Sequence, residues 1–178
     1  LVRLLARHPG VHLGAAMSSG SNGTRRLPAL ARIWDDEIQP LDVEALVATC
    51  DVVCMALPEQ ASATVGPALV AAGTRVVDLS GAFRLSDPLA RQRWYPDTAH
   101  VPAGTIYALP ERSRAALRGA NLVSCPGCYP TAALLALGPL AEAGMLDGDV
   151  IIDAKSGMSG AGKMPSERTH FSENHGSV

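Results

Sequence analysis

Two cysteines three positions apart, Cys125 and Cys128, stand in the stretch VSCPGCYPTAALL, residues 123–135. Their spacing is compatible with three chemistries: a redox dithiol, half of a zinc site, or a single nucleophile with a neighbour. A redox pair needs an exposed N-terminal thiolate at a helix start. Here Cys125 ends an apolar, strand-like run, and Cys128 is the residue nearer the helix pattern. A zinc site needs two further ligands at sensible spacing. Cys50 and Cys54 are on offer, but Cys54 lies inside the apolar run DVVCMALP and reads as a small buried hydrophobe. Gly127 permits a tight strand-to-helix turn, and Pro130 suits the first turn of a helix, where its missing N–H costs nothing. Helix N-termini stabilise anions, so the activated sulfur is expected to be Cys128. No metal site is expected.

A nucleophile so placed must be held by strands and helices, and the chain reads as an alternation of the two. LVRLLARHPG (1–10) is helical up to Pro9-Gly10, VHLGAAMSS (11–19) is β-like, and GSNGTRRLP (20–28) is a loop. LDVEALVATCD (41–51) is helical, and DVVCMALP (51–58) is a strand cut off by Pro58. ASATVGPALVAAG (61–73) is helical despite Pro67, and TRVVDLS (74–80) is a buried-type strand. Residues 86–112 read as irregular. ANLVSCPG then forms strand and turn, YPTAALLALGPLAEAG a helix, and GDVIIDAKSG a strand. Strands written as solid Val/Ile runs between helical patterns argue for a parallel sheet covered on both faces. The expected fold is α/β: a Rossmann-like doubly wound parallel sheet, its first strand missing, followed by the start of an α+β catalytic domain. The expected domain boundary separates residues 1–122 from 123–178, where the strand–helix rhythm resumes after the irregular stretch.

Composition narrows the function. The chain has 178 residues, is 47 % hydrophobic and carries a formal charge of −2, enough for one sizeable core. Scattered basic residues and a pI near 6.2 speak against a nucleic-acid partner. No apolar run approaches membrane-spanning length, and no signal-peptide layout opens the chain. Four cysteines are too few for a disulfide scaffold, so reduced thiols in a cytoplasmic protein are expected. Both ends read as cuts, and the chain is expected to be an internal piece of a longer protein.

In doubly wound sheets, ligands sit beyond the carboxyl ends of the strands. Three such ends here are Ser18-Ser19-Gly20, Ala56-Leu57-Pro58 and Asp78-Leu79-Ser80. An NAD site usually places an acid at the first of these, which would repel the extra phosphate of NADP. Two serines stand there instead, with Arg25-Arg26 in the following loop, and hydroxyls and guanidinium groups suit a 2′-phosphate. The expected cofactor is NADP(H).

VSCPGCYPTAALLALGP resembles the active-site signature of the N-acetyl-γ-glutamyl-phosphate reductases, and DLSGAFRL, YALPE and DAKSGMSGAG resemble further motifs of that family in the same order. The resemblance covers nearly the whole chain. It implies NADPH-dependent reduction of an acyl phosphate to a semialdehyde through a thioester on Cys128, within arginine biosynthesis. It further implies that Ser18 lies near the 2′-phosphate and that Leu57 and Pro58 run along the dinucleotide. Ser156, Gly157, Ser159 and Gly160 would approach cofactor and substrate by their backbone, and Arg84 would bind a phosphate or carboxylate of the substrate. Relatives of this kind commonly form homo-oligomers. Three positions depart from the family pattern. Asn usually stands where this chain has Cys125. Arg usually follows the cofactor serine directly, so Arg25 or Arg26 would have to substitute. The family's catalytic His-Arg-His segment has no match, His170 and His175 included, and the piece alone is not expected to turn over. The alternatives are a related acyl-phosphate reductase and a non-catalytic redox or dinucleotide-binding module using Cys125 and Cys128.

Overall fold

The computed structural model describes residues 1–20 and 23–157. These residues divide into two compact units, Leu1–Thr131 and Ala132–Val178. The first unit opens with a short helix α1 (Val2–Leu5), then a two-stranded parallel sheet of β1 (Met17–Ser18) and β2 (Gln39–Pro40). Helix α2 (Val43–Thr49) leads into β3 (Val52–Met55), α3 (Glu59–Ala71) and β4 (Arg75–Asp78). Helix α4 (Pro88–Trp94), β5 (Thr105–Tyr107), α5 (Pro110–Ser113) and β6 (Leu122–Ser124) follow. Helix α6 (Cys128–Glu142) carries the chain out of the first unit and into the second.

Strands β3, β4, β6 and β5 lie side by side in that order, and every pair is parallel. Val76 and Leu122 are a register pair, and both are almost fully buried. The same burial explains why these strands are written as apolar runs rather than as alternations. The core gathers Leu46, Met55, Val65, Leu69, Val76, Ala82, Phe83 and Leu122. Met17 of β1 and Leu57 after β3 pack against it, so the strand ends with chemical interest are anchored to one apolar mass. Because the strands run the same way, the carboxyl ends of β3, β4 and β6 share one edge of the sheet. The expected Rossmann-like parallel architecture is therefore present.

Three details differ from the sequence reading. Only Met17–Ser18 of the stretch 11–19 is paired as strand. The stretch 86–112 contains α4, β5 and α5, and β5 adds an edge strand to the sheet. A three-residue edge strand is too short to show a period. The start of α4 was legible: Asp87 caps it by accepting a hydrogen bond from Ala90 N at 2.7 Å, and Pro88 occupies the first turn. Residues 149–157 in the second unit form no strand, and Ile151 is 94 % exposed. An apolar β-pattern becomes a strand only beside a partner, and none among the described residues supplies one.

Candidate active site

Cys128 is the first residue of α6 and is exposed, whereas Cys125 is half-buried three residues earlier. Helix α6 starts directly after Gly127, with Thr131 N donating to Gly127 O at 2.9 Å. Gly127 is there for space rather than for backbone freedom. A Cβ at this position would come 3.1 Å from Arg84 Nη1. The guanidinium of Arg84 therefore lies directly against the turn that carries Cys128.

Arg84 is held by two carbonyls. Its Nε donates to Cys125 O at 3.0 Å and its Nη2 to Leu79 O at 3.1 Å. These partners are neutral, so the arginine keeps its full charge available beside Gly127, where an anion would find it. Among the described residues no carboxylate pairs with it.

Asp78, the last residue of β4, is completely buried behind this turn. Its Oδ2 accepts from Ser80 Oγ at 2.7 Å, and its backbone oxygen accepts from Cys125 N at 2.8 Å. The surroundings separate the two thiols. Burial pushes the Cys125 thiol up, the nearby Asp78 carboxylate and Cys54 push it further, and Arg84 offsets only part of this. Burial likewise pushes up Cys54, which sits mid-strand in β3. A thiol kept neutral is a poor nucleophile and a poor metal ligand. Among the described residues no group of three or more His, Cys, Asp or Glu is arranged to hold a metal.

At the end of β1, Arg25 Nη2 reaches Ser18 Oγ at 3.5 Å. The backbone of Arg25 is fixed by a reciprocal pair of hydrogen bonds with Ile38, of 3.0 and 2.8 Å. Arg26 points elsewhere and is engaged by Asp35 at 3.2 Å and Glu37 at 3.5 Å. A groove lined by Met17, Gln39, Pro40 and Leu41 and by the acids Asp42 and Glu44 runs alongside. Leu57 is half-buried and Pro58 exposed, just before the N-terminus of α3 at the carboxyl end of β3. Ser156 and Gly157 are exposed in the second unit, with Ser156 Oγ donating to Gly157 O at 3.2 Å. Ser159, Gly160, His170 and His175 lie outside the described residues. The chain thus brings Cys125, Cys128 and Arg84 together at one edge of the sheet. Ser18 and Arg25 meet at the end of β1.

Sequence reasoning named Asp78-Leu79-Ser80 as a ligand-side strand end but gave Asp78 and Ser80 no part in holding Arg84, and it left Arg25 and Arg26 undivided. The signal for the first was on the page, since an aspartate ending an apolar strand must be satisfied by something nearby.

Residues 1–120 match the family model described as semialdehyde dehydrogenase, NAD binding domain, and residues 128–178 match the one described as semialdehyde dehydrogenase, dimerisation domain. The chain is 44 % identical to the N-acetyl-gamma-glutamyl-phosphate reductase of Desulforudis audaxviator and 42 % identical to that of a Geobacillus species, over 97 % of its own length in both cases. It spans 52 % of each of these relatives. Among solved structures it is similar to aspartate semialdehyde dehydrogenase II from Vibrio cholerae complexed with ASA, with a TM-score of 0.53 and 20 % identity over 79 % of this chain and 40 % of that one. It is also similar to aspartate semialdehyde dehydrogenase with NADP from Candida albicans, with a TM-score of 0.52 and 16 % identity over 79 % and 42 % of the two chains. Those two likenesses speak to fold alone. The sequence match, running through the parallel sheet and on across the cysteine-bearing helix, shows that the chain belongs to the semialdehyde dehydrogenase family.

Proposed function

We propose that this chain carries the cofactor-binding and nucleophile-bearing parts of an NADP-dependent N-acetyl-γ-glutamyl-phosphate reductase. The observation that carries the reading is Cys128, exposed at the head of α6, with the Arg84 guanidinium pressed against the preceding Gly127. In this reading the Cys128 thiolate attacks the acyl-phosphate carbonyl, a thioester forms, and inorganic phosphate leaves with the bonding pair. Arg84 binds that phosphate, and the N-terminal amides of α6 are suited to stabilise the oxyanion. NADPH, when bound, supplies the hydride that takes the thioester to the aldehyde, with Cys128 released as thiolate. The names of the relatives support the acyl group, and the half-buried, neutral Cys125 disfavours a dithiol.

The donor set at the end of β1 fits an NADP phosphate. A hydroxyl and a guanidinium converge there, and neither Ser18 nor Ser19 brings a negative charge. Ser18 and Arg25 would hold the 2′-phosphate, Leu57 and Pro58 would line the dinucleotide, and Ser156, Gly157, Ser159 and Gly160 would approach it by their backbone. The division of labour in this reading falls at Val123: residues 1–122 bind the cofactor and 123–178 open the catalytic and dimerisation domain. The two family matches support it, and they support a homo-oligomer. Four free thiols fit a reducing, cytoplasmic setting.

The test uses the intact protein and follows NADP reduction with N-acetylglutamate semialdehyde and phosphate. Cys128→Ser is expected to abolish turnover while binding NADP as the wild type does. Sustained turnover by that variant ends the thioester mechanism.

A further inference from the structure

We propose that Asp78 and Ser80 are positioning residues that set Arg84 and, through it, the turn presenting Cys128. The inference rests on the reading of Cys128 as nucleophile and Arg84 as anion ligand. It starts from a carboxylate buried inside the sheet. Asp78 is 0 % exposed between its register partners Met55 and Ser124, both buried, and its Oδ1 has no hydrogen-bond partner, so Ser80 is the one side chain that holds the carboxylate among the described residues. Packing alone would be better served by an apolar side chain, because burying a carboxylate is costly unless its hydrogen bonds do something.

Here they connect two segments. Asp78 Oδ2 accepts from Ser80 Oγ at 2.7 Å, and Ser80 Oγ in turn accepts from Ala82 N at 3.1 Å. This fixes the backbone between β4 and Arg84, and Arg84 N closes it by donating to Gly81 O at 3.2 Å. The guanidinium then folds back onto Leu79 O, at 3.1 Å, within the same turn. On the other segment, the peptide groups flanking Cys125 are held from both sides. Its N–H meets Asp78 O at 2.8 Å, and its carbonyl meets Arg84 Nε at 3.0 Å. Residues 78–84 and 125–128 therefore form one hydrogen-bonded circuit with Asp78 at its root. Nη1 is the part of the guanidinium that faces Gly127. Loosening Ser80 lets Arg84 turn, and the cation then no longer aims at the place where phosphate would leave the acyl carbon attacked by Cys128.

The experiment measures iodoacetamide alkylation of Cys128 in the intact protein by mass spectrometry, with inorganic phosphate as protectant. Variants Ser80→Ala, Ser80→Thr and Asp78→Asn are compared with the wild type. In the wild type, phosphate is expected to slow alkylation at Cys128. Ser80→Ala is expected to raise the phosphate concentration for half-protection about tenfold, the size of losing one well-aimed hydrogen bond to a charged group. Ser80→Thr, which keeps the hydroxyl, should restore protection to within about twofold. If Asp78→Asn does not fold, the two Ser80 variants carry the test. Wild-type protection in Ser80→Ala overturns the proposal, and so does equal damage from alanine and threonine, which would mean packing rather than a hydrogen bond. If phosphate fails to protect the wild type, Arg84 is not the anion ligand, and the underlying reading falls first.

Discussion

Cys125 and Cys128 are chemically alike, and their surroundings make them different. One is half-buried beside a carboxylate, and the other stands in solvent at a helix N-terminus. Alkylation followed by mass spectrometry should therefore modify Cys128 first, with Cys125 catching up only as pH climbs past the ordinary thiol range of about 8.5. Equal rates at pH 8 would remove this distinction. Cys125→Ser should retain most activity for the same reason, and a loss matching that of Cys128→Ser would point back to a dithiol. The same thiols affect stability. Cys54 and Cys125 both titrate higher in the folded chain than unfolded. Their contribution is thus complete below about pH 8.5 and is lost as pH rises through the folded values. Urea midpoints should fall along that alkaline limb, and less steeply in Cys54→Ala than in the wild type. At the cofactor end, Arg25→Ala is expected to weaken NADP binding about tenfold while sparing NAD, the scale of one charge-assisted contact. Arg26→Ala, which removes only an exposed ion pair with Asp35 and Glu37, should change little. Calorimetric titration of both nucleotides on both variants distinguishes the two arginines, and the reverse pattern would reassign the site.

At the scale of elements, the helix–sheet contact around Gly66 shows how tightly the site's scaffold is packed. A glycine inside a helix ordinarily costs about 1 kcal/mol relative to alanine. In α3, however, a Cβ at Gly66 would lie 2.8 Å from the Phe83 ring and 3.1 Å from Met55 Cε. Overpacking a core of this kind costs roughly 1–3 kcal/mol, so the clash should outweigh the propensity gain. Gly66→Ala is accordingly expected to lower the melting temperature, and a rise would show that Phe83 can move aside. Phe83 is adjacent to Arg84, so the packing of α3 and the aim of the guanidinium are coupled. Helices α2, α3 and α6 were legible from their apolar patterns, and Asp42 starts α2 by accepting from Ala45 N at 3.0 Å. Strand β5 was not legible, because three residues carry no period and pairing with β6 is what makes them a strand.

At the scale of the whole molecule, the second unit leaves Met145, Val150, Ile151 and Ile152 exposed, on a stretch that matches a dimerisation domain. Exposed apolar residues in a row of this kind mark surfaces that associate. Replacing Ile151 and Ile152 with Asp should shift the sedimentation of the intact protein toward a smaller species, and an unchanged species would place its interface elsewhere. The sequence by itself determined the parallel α/β class, the alternation of β3, α3, β4, β6 and α6, and the place of Cys128 at a helix start. Each of these depends on local rules: apolar runs for buried strands, a glycine turn before a helix, a proline in its first turn. Only the tertiary structure decided which arginine meets Ser18, and that Asp78, Ser80 and Arg84 form a circuit with the Cys125 peptide across 41 positions of chain. The first contact depends on β1 pairing with β2 and the circuit on β4 falling beside β6, and strand adjacency is set by the packing of the whole core rather than by any segment's own pattern.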